Sequence, residues 1–248
     1  MTDVPERYAD YAAGRPDPRF TAWLRARTEP AWTDAVAHPF TRDLGAGTLE
    51  PDAFADYLVQ DYVFVDALVS TFGYAVGQAP DVAARRPLVE FLETVTDDED
   101  DYFRRSFEAL EVPACRWQNP EPTATTEAFV DLLGRAARQG GYAETLAVLV
   151  PAEWVYKAWA TSVAETYGYP GTAPPSAGAD LPDPYVEWID LHAVPSFVEF
   201  VSWLRGQLDA VGPELSARRE ARVRRLFRRT VDLEVAFFDA AYTDGEVA

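Results

Sequence analysis

Apolar residues in this chain recur three and four positions apart over long stretches, and nowhere do they alternate convincingly with polar residues as the two faces of a strand would require. The clearest stretch, FADYLVQDYVFVDALVSTFGYAVGQ, runs without a proline between Pro51-Asp52 and Pro80-Asp81. It is several times longer than an ordinary strand and carries aromatic and aliphatic residues at helical spacing. Segments of this kind bury their stripes against one another, so the pattern predicts an all-α bundle.

Proline and glycine set the number of helices. Asp17-Pro18 reads as an N-cap with proline at the first helical position, opening a helix from about 18 to 37 with a kink at Pro30. His38-Pro39 ends it, and Leu44-Gly45-Ala46-Gly47 reads as a turn. The long helix after Pro51-Asp52 follows, and Pro80-Asp81 then starts a segment to about 110 whose polar middle, TVTDDEDDYF, is bent. Its run of acids at 97–101 reads as a solvated helical face, and VPACRWQNPEP as a loop. Helices at about 123–139 and 142–167 lead to a Pro/Gly-rich connector at 168–184, either a lid or a passive link. Two more, about 185–210 and 213–242, are separated by Val211-Gly212-Pro213. The sum is seven to eight helices in one domain spanning 1–248, with its core at about 18–243.

Charge narrows the partners. The formal charge is −19, which repels phosphate backbones and anionic lipid, so neither nucleic acid nor a membrane surface is expected. Lys157 is the only lysine, and the acids spread along the whole chain. That combination suits a salt-rich cytoplasm, where screening weakens the repulsion between like charges. MTDVPERYAD does not read as a signal peptide, and no run of about 18 uncharged apolar residues appears, so a cytoplasmic location is expected. Cys115 is the only cysteine, which excludes a disulfide within the chain and a cysteine-based metal cluster. His38 and His192 are the only histidines; there is no Glu-x-x-His pair, no His-Glu-x-x-His, no P-loop, no Gly-x-Gly-x-x-Gly and no Gly-x-Ser-x-Gly. Neither a metal nor a cofactor is expected.

Three acids interrupt apolar helical runs, where a carboxylate is costly to bury. Asp61 shares a face with Tyr57, Phe64 and Leu68. Glu153 follows Pro151 in LAVLVPAEWVYKAWA and shares a flank with Tyr156 and Lys157. Glu234 shares a face with Phe237, Phe238 and Tyr242. Each also has an ordinary structural reading. Asp61 can pair with an arginine of another helix, Glu153 with Lys157, and Glu234 with one of Arg224, Arg225, Arg228 and Arg229. His192 fits a ligand contact or a satisfied core histidine equally well.

The segment HPFTRDLGAGTLEPDAFADYLVQDYVFVDALVSTFGYA resembles the N-terminal signature of the TenA / thiaminase II family, in the haem-oxygenase-like helical superfamily. VPAEWVYKAWA resembles that family's central site helix, EWIDLHAVPSFVEFV its next, Trp-containing helix, and LEVAFFDAAY its C-terminal helix. The four motifs come in the family's order and span about 20 to 243. The resemblance implies that Asp61 holds an aminopyrimidine ring, that Glu234 acts as general acid/base beside it, and that Tyr156 is a site tyrosine. It places Phe64, Phe129 and His192 where the family has ring-stacking or hydrogen-bonding tyrosines, and it implies a homo-oligomer, a dimer or tetramer.

One departure bears on mechanism. Where the best-known branch of the family has a nucleophilic cysteine, this chain has Ala152, with Glu153 beside it. The chain therefore resembles the cysteine-lacking branch, linked to hydrolysis of amino- or formylamino-pyrimidines in thiamin salvage. Glu234 and Glu153 are the expected catalytic pair. A pyrimidine-binding protein without catalysis, and a cofactor oxidase or oxygenase on the same scaffold, are the alternatives.

Overall fold

The computed structural model describes residues 4–168 and 182–243, and every regular element in it is helical. Short helices lead: α1 (Tyr8–Ala12), α2 (Phe20–Ala26), α3 (Ala31–Val36) and α4 (Pro39–Ala46). The body follows as α5 (Pro51–Gln78), α6 (Val82–Thr94), α7 (Asp100–Ala109), the single turn α8 (Ala114–Trp117), α9 (Ala124–Gln139) and α10 (Tyr142–Tyr167). After the connector come α11 (Asp183–Ala193), α12 (Pro195–Val211) and α13 (Ala217–Thr243). Among the described residues, eight of these helices have ten or more residues, in line with the count expected from proline and glycine spacing. Residues 169–181, most of the predicted lid or link, lie outside the described residues. No helix among the described residues is long and apolar enough to cross a membrane.

Helix α10 is the axis of the bundle. Fourteen consecutive residues, Ala143 to Tyr156, are buried, because α3, α4, α5, α9, α11, α12 and α13 all pack around it. A helix apolar on every side is what a position enclosed by neighbours requires. It runs on through Pro151, which cannot donate to the carbonyl one turn back. Helix α4 lies close against α10 because residue 45 is glycine: a Cβ there would run into the side chains of Val163 and Tyr167. Gly47, at φ 71°, then closes α4 in the left-handed conformation.

The structure corrects four expected boundaries. The helix expected from about 18 to 37 is two helices, α2 and α3, because Pro30 disfavours helical geometry in the residue before it and opens a new helix after it. Leu44, Gly45 and Ala46 belong to α4 rather than to a turn. The expected helix 185–210 divides at Val194, where Pro195 starts α12. The segment after Pro80-Asp81 is not merely bent: α6 and α7 are joined by one π-helical turn, Val95–Glu99.

Candidate active site

A cavity of about 550 Å³ opens between α5, α6, the π turn, α10, α11 and α12. Asp61 from α5, Glu153 and Tyr156 from α10 and His192 from α11 line it, with Phe64, Ala152 and Trp188. Asp61 is 2% exposed, Glu153 6% and, on α13 immediately behind, Glu234 1%. Three helices distant in sequence thus each contribute one enclosed carboxyl group to one neighbourhood.

No cation neutralises them. Among the described residues, no ion pair joins Glu153 to Lys157, Arg224 pairs with Glu6, and Arg228 pairs with Asp232. Glu234 Oε1 is buried without a hydrogen-bond partner. Asp61 accepts one hydrogen bond, from the Tyr156 hydroxyl at 3.4 Å, and that hydroxyl lies 2.6 Å from the hydroxyl of Tyr57. The ordinary pairings that each acid allowed are therefore not made.

Electrostatics follow from this isolation. Burial pushes the Asp61 carboxyl well above the usual carboxylate range; the charge of Glu99 raises it further, and the bond from Tyr156 opposes the rise. Glu153 is raised well above its usual value by burial, then by Glu99 and Asp61. Glu234 is raised by burial, then by Asp61 and Glu153. Groups that repel one another in a dry place do not ionise together, so the cluster retains protons at pH values where isolated carboxyl groups have lost them. A cluster that is partly protonated offers both a donor and an acceptor, the two ingredients of acid/base catalysis.

The rings around these acids differ in what they do. Phe64 lines the cavity, and Phe129 stands one layer back, packed on Phe64 with ring centroids 4.6 Å apart. Buried His192 places Nδ1 2.9 Å from the Trp188 carbonyl, so in the neutral ring Nδ1–H donates there and Nε2 is left as an acceptor. Burial lowers its pKa to about 4, which keeps the ring neutral. Cys115 is exposed on α8. His38 caps α4, accepting from the Phe40 N–H, and its Nε2 donates to Asp239. Among the described residues no group of three or more His, Cys, Asp or Glu side chains is arranged to hold a metal ion.

A profile of the TENA/THI-4/PQQC family matches residues 25–244. The chain belongs to that family. Among its relatives, an aminopyrimidine aminohydrolase of Halalkalibacterium halodurans is 28% identical over 91% of this chain and 96% of its own length. An aminopyrimidine aminohydrolase of Helicobacter pylori is 24% identical over 89% of this chain and 97% of its own. The fold is that of a TenA homologue from P. horikoshii OT3, with a TM-score of 0.74, 23% identity and coverage of 90% of this chain and 98% of that one.

The most enclosed cavity acid not evident from the sequence is Glu99. Glu99, taken with its neighbours as a solvated face, lines the cavity. Asp98 also borders the cavity but is exposed, Asp97 and Asp101 are exposed as expected, and Asp100 is occupied by Tyr62 and Arg104. The π turn separates Glu99 from them: its extra residue shifts the register of the helix, and nothing in a run of five acids signals such a shift.

Proposed function

We propose that the protein is a hydrolase acting on the C–N bond of aminopyrimidines in thiamin salvage, with Glu153 and Glu234 as its catalytic pair. One observation carries the reading: Asp61, Glu153 and Glu234 are buried together beside a cavity that no Lys or Arg among the described residues lines. An enclosed cluster of this kind destabilises the fold, and a site that needs held protons is a reason to retain it. The activity named for the Halalkalibacterium halodurans and Helicobacter pylori relatives supports the substrate class.

In this reading Asp61 accepts hydrogen bonds from the amidine edge of the ring, while Phe64 and Tyr156 cover its faces. Phe129 supports Phe64 from behind, and His192 accepts a hydrogen bond through Nε2. An exocyclic amine leaves poorly unless protonated. One carboxyl group of the pair keeps a proton on the leaving nitrogen; the other takes a proton from water as the water oxygen bonds to the exocyclic carbon and the C–N bond breaks. The products are the hydroxymethyl compound and ammonia, or formamide where the nitrogen carries a formyl group. Acid/base assistance of this kind is worth about 10²–10⁴-fold in rate. Ala152 offers only a methyl group, so the mechanism involves no thiol adduct.

We also read the −19 charge and single lysine as adaptation to a salt-rich cytoplasm, and the protein as a homo-oligomer, a dimer or tetramer. The test is to incubate purified protein, in multimolar salt, with aminomethyl-, formylaminomethyl- and hydroxymethyl-pyrimidines and with thiamin. Release of ammonia, or of formamide or formate, is expected. Binding without turnover would instead make the protein a pyrimidine-binding module, and turnover dependent on oxygen would make it an oxygenase. Full turnover by either Glu153→Gln or Glu234→Gln would overturn the catalytic assignment.

A further inference from the structure

Among the described residues six acids line the cavity, and they are graded by exposure. Glu90, Asp98 and Glu199 are exposed, Glu99 is half-buried, and Asp61 and Glu153 are buried. Only Glu90 has a cation beside it, Arg86 at 3.0 Å. Among the described residues no Lys or Arg lines the cavity, and His192 is kept neutral by burial. A path of this sign draws in cations and repels phosphorylated compounds.

Glu99 is the most enclosed member of this series that the proposed reaction leaves unused. Among the described residues its carboxyl group takes part in no ion pair and in no side-chain hydrogen bond, so it holds nothing in the fold together. Its position depends on the π turn Val95–Glu99, in which Val95 is 2% exposed. Turns of this type inside helices are uncommon and recur at functional sites. Its charge falls on the two carboxyl groups at the cavity, since it is the largest charged neighbour acting on both Asp61 and Glu153. A second observation points to a ligand: Glu234 Oε1, in the same cluster, is fully buried and has no partner.

We propose that Glu99 is a specificity-determining residue that accepts the positively charged exocyclic ammonium of the substrate, so that the enzyme favours cationic over neutral leaving groups. This rests on the aminopyrimidine hydrolase reading and adds the charge of the substrate to it. An ammonium brings three N–H donors and one positive charge to a wall that has acceptors and no counter-charge. With Asp61 at the ring amidine and the Glu153–Glu234 pair at the bond that breaks, Glu99 is the most enclosed of the cavity's carboxyl groups left to receive the ammonium. A formylaminomethyl compound offers the same ring without the charge.

The test compares kcat/KM for the aminomethyl compound, cationic at neutral pH, with that for the neutral formylaminomethyl compound, in wild type and in Glu99→Gln. The ratio of cationic to neutral is expected to fall at least tenfold in Glu99→Gln, carried mainly by KM. In Glu99→Asp, which keeps the charge but withdraws it by one methylene, a smaller fall is expected, and this variant decides the matter if the glutamine variant does not fold. An unchanged ratio, or an equal loss on both compounds, would overturn the proposal. If wild type turns over neither compound, the hydrolase reading fails by itself. Calorimetric titration of the same two compounds then judges Glu99: a preference for the cation that disappears in Glu99→Gln supports it, and a preference retained, or absent in wild type, overturns it.

Discussion

Glu144 and Glu234 are both almost fully buried, at 2% and 1% exposure, yet they are opposite kinds of acid. Glu144, in the first turn of α10, accepts from Arg219 Nε at 2.9 Å and from a second guanidinium nitrogen at 2.6 Å, and it also accepts from the backbone N–H of Gly141. It ties the start of the central helix to α13 and satisfies an orphan donor there. Burial alone would raise its pKa, but the bonds from Arg219 and Gly141 outweigh that, and it lies below its usual value. Glu234 has no such fork, and its pKa lies well above its usual value. The comparison teaches that burial does not fix what an acid is for; the presence or absence of a counter-charge does. The molecule supplies arginine to the buried acid that ties two helices together and withholds it from the buried acids at the cavity.

The largest effect expected from this contrast separates activity from stability. Glu234→Gln should lower turnover of aminopyrimidines at least 100-fold, the scale of lost acid/base assistance, while leaving the melting temperature unchanged or raised, since it removes an enclosed ionisable group that has no counter-charge. Glu144→Gln should do the reverse. Turnover should stay within about threefold of wild type, and stability should fall by about 2 kcal/mol, the range for hydrogen bonds to charged groups discounted for the half-exposed Arg219. For a chain of this size that is about 4–8 °C in melting temperature. Kinetics and thermal denaturation on the two variants check both halves. A Glu234→Gln protein that melts much lower than wild type would mean that Glu234 is a structural acid after all.

The difference between these populations was partly legible in the chain. Asp61, Glu153 and Glu234 each stand in an apolar helical run, and a carboxyl group flanked by Phe, Tyr and Leu at helical spacing has few exposed positions open to it. Whether an arginine reaches it depends on helix packing, which spacing along one helix does not contain. Pairing with Lys157 or with the arginines of α13 is therefore decided by the packing of helices alone. Helix number came through because Pro and Gly mark ends chemically, and the divisions at Pro30 and Pro195 were missed because apolar periodicity continues across both. Glu99 was illegible for a different reason: its inward position depends on a one-residue change of helical register, and composition around it points only to solvent. Phe129 was placed near the ring face, yet it stands behind Phe64, a distinction of depth that periodicity does not carry.

The smallest expected effect sharpens the comparison through pH, because the two populations carry opposite signs. Glu99 is raised by burial from 4.5 to about 7, so between those values the folded protein keeps a proton that the unfolded chain has released. Its contribution to stability is therefore fully present below about 4.5 and is lost as pH rises through about 7; Asp61, Glu153 and Glu234, raised in the same direction, act with the same sign. Glu144 is lowered, so its contribution is present above the ordinary carboxylate value and is lost as pH falls through the lowered one. Thermal melts from pH 3 to 8 at fixed salt should show wild type losing stability from about pH 4.5 to 7 relative to Glu99→Gln. The difference between wild type and Glu144→Gln should instead shrink only at the acidic end. The titration of distant acids cancels in the comparison, and the change in Asp61 and Glu153 on losing the charge of Glu99 acts with the same sign as Glu99 itself. A Glu99→Gln curve parallel to wild type across pH 4.5–7 would mean that Glu99 meets enough water or counter-charge in solution to titrate normally, and the cavity would then be less enclosed at that wall than its geometry indicates.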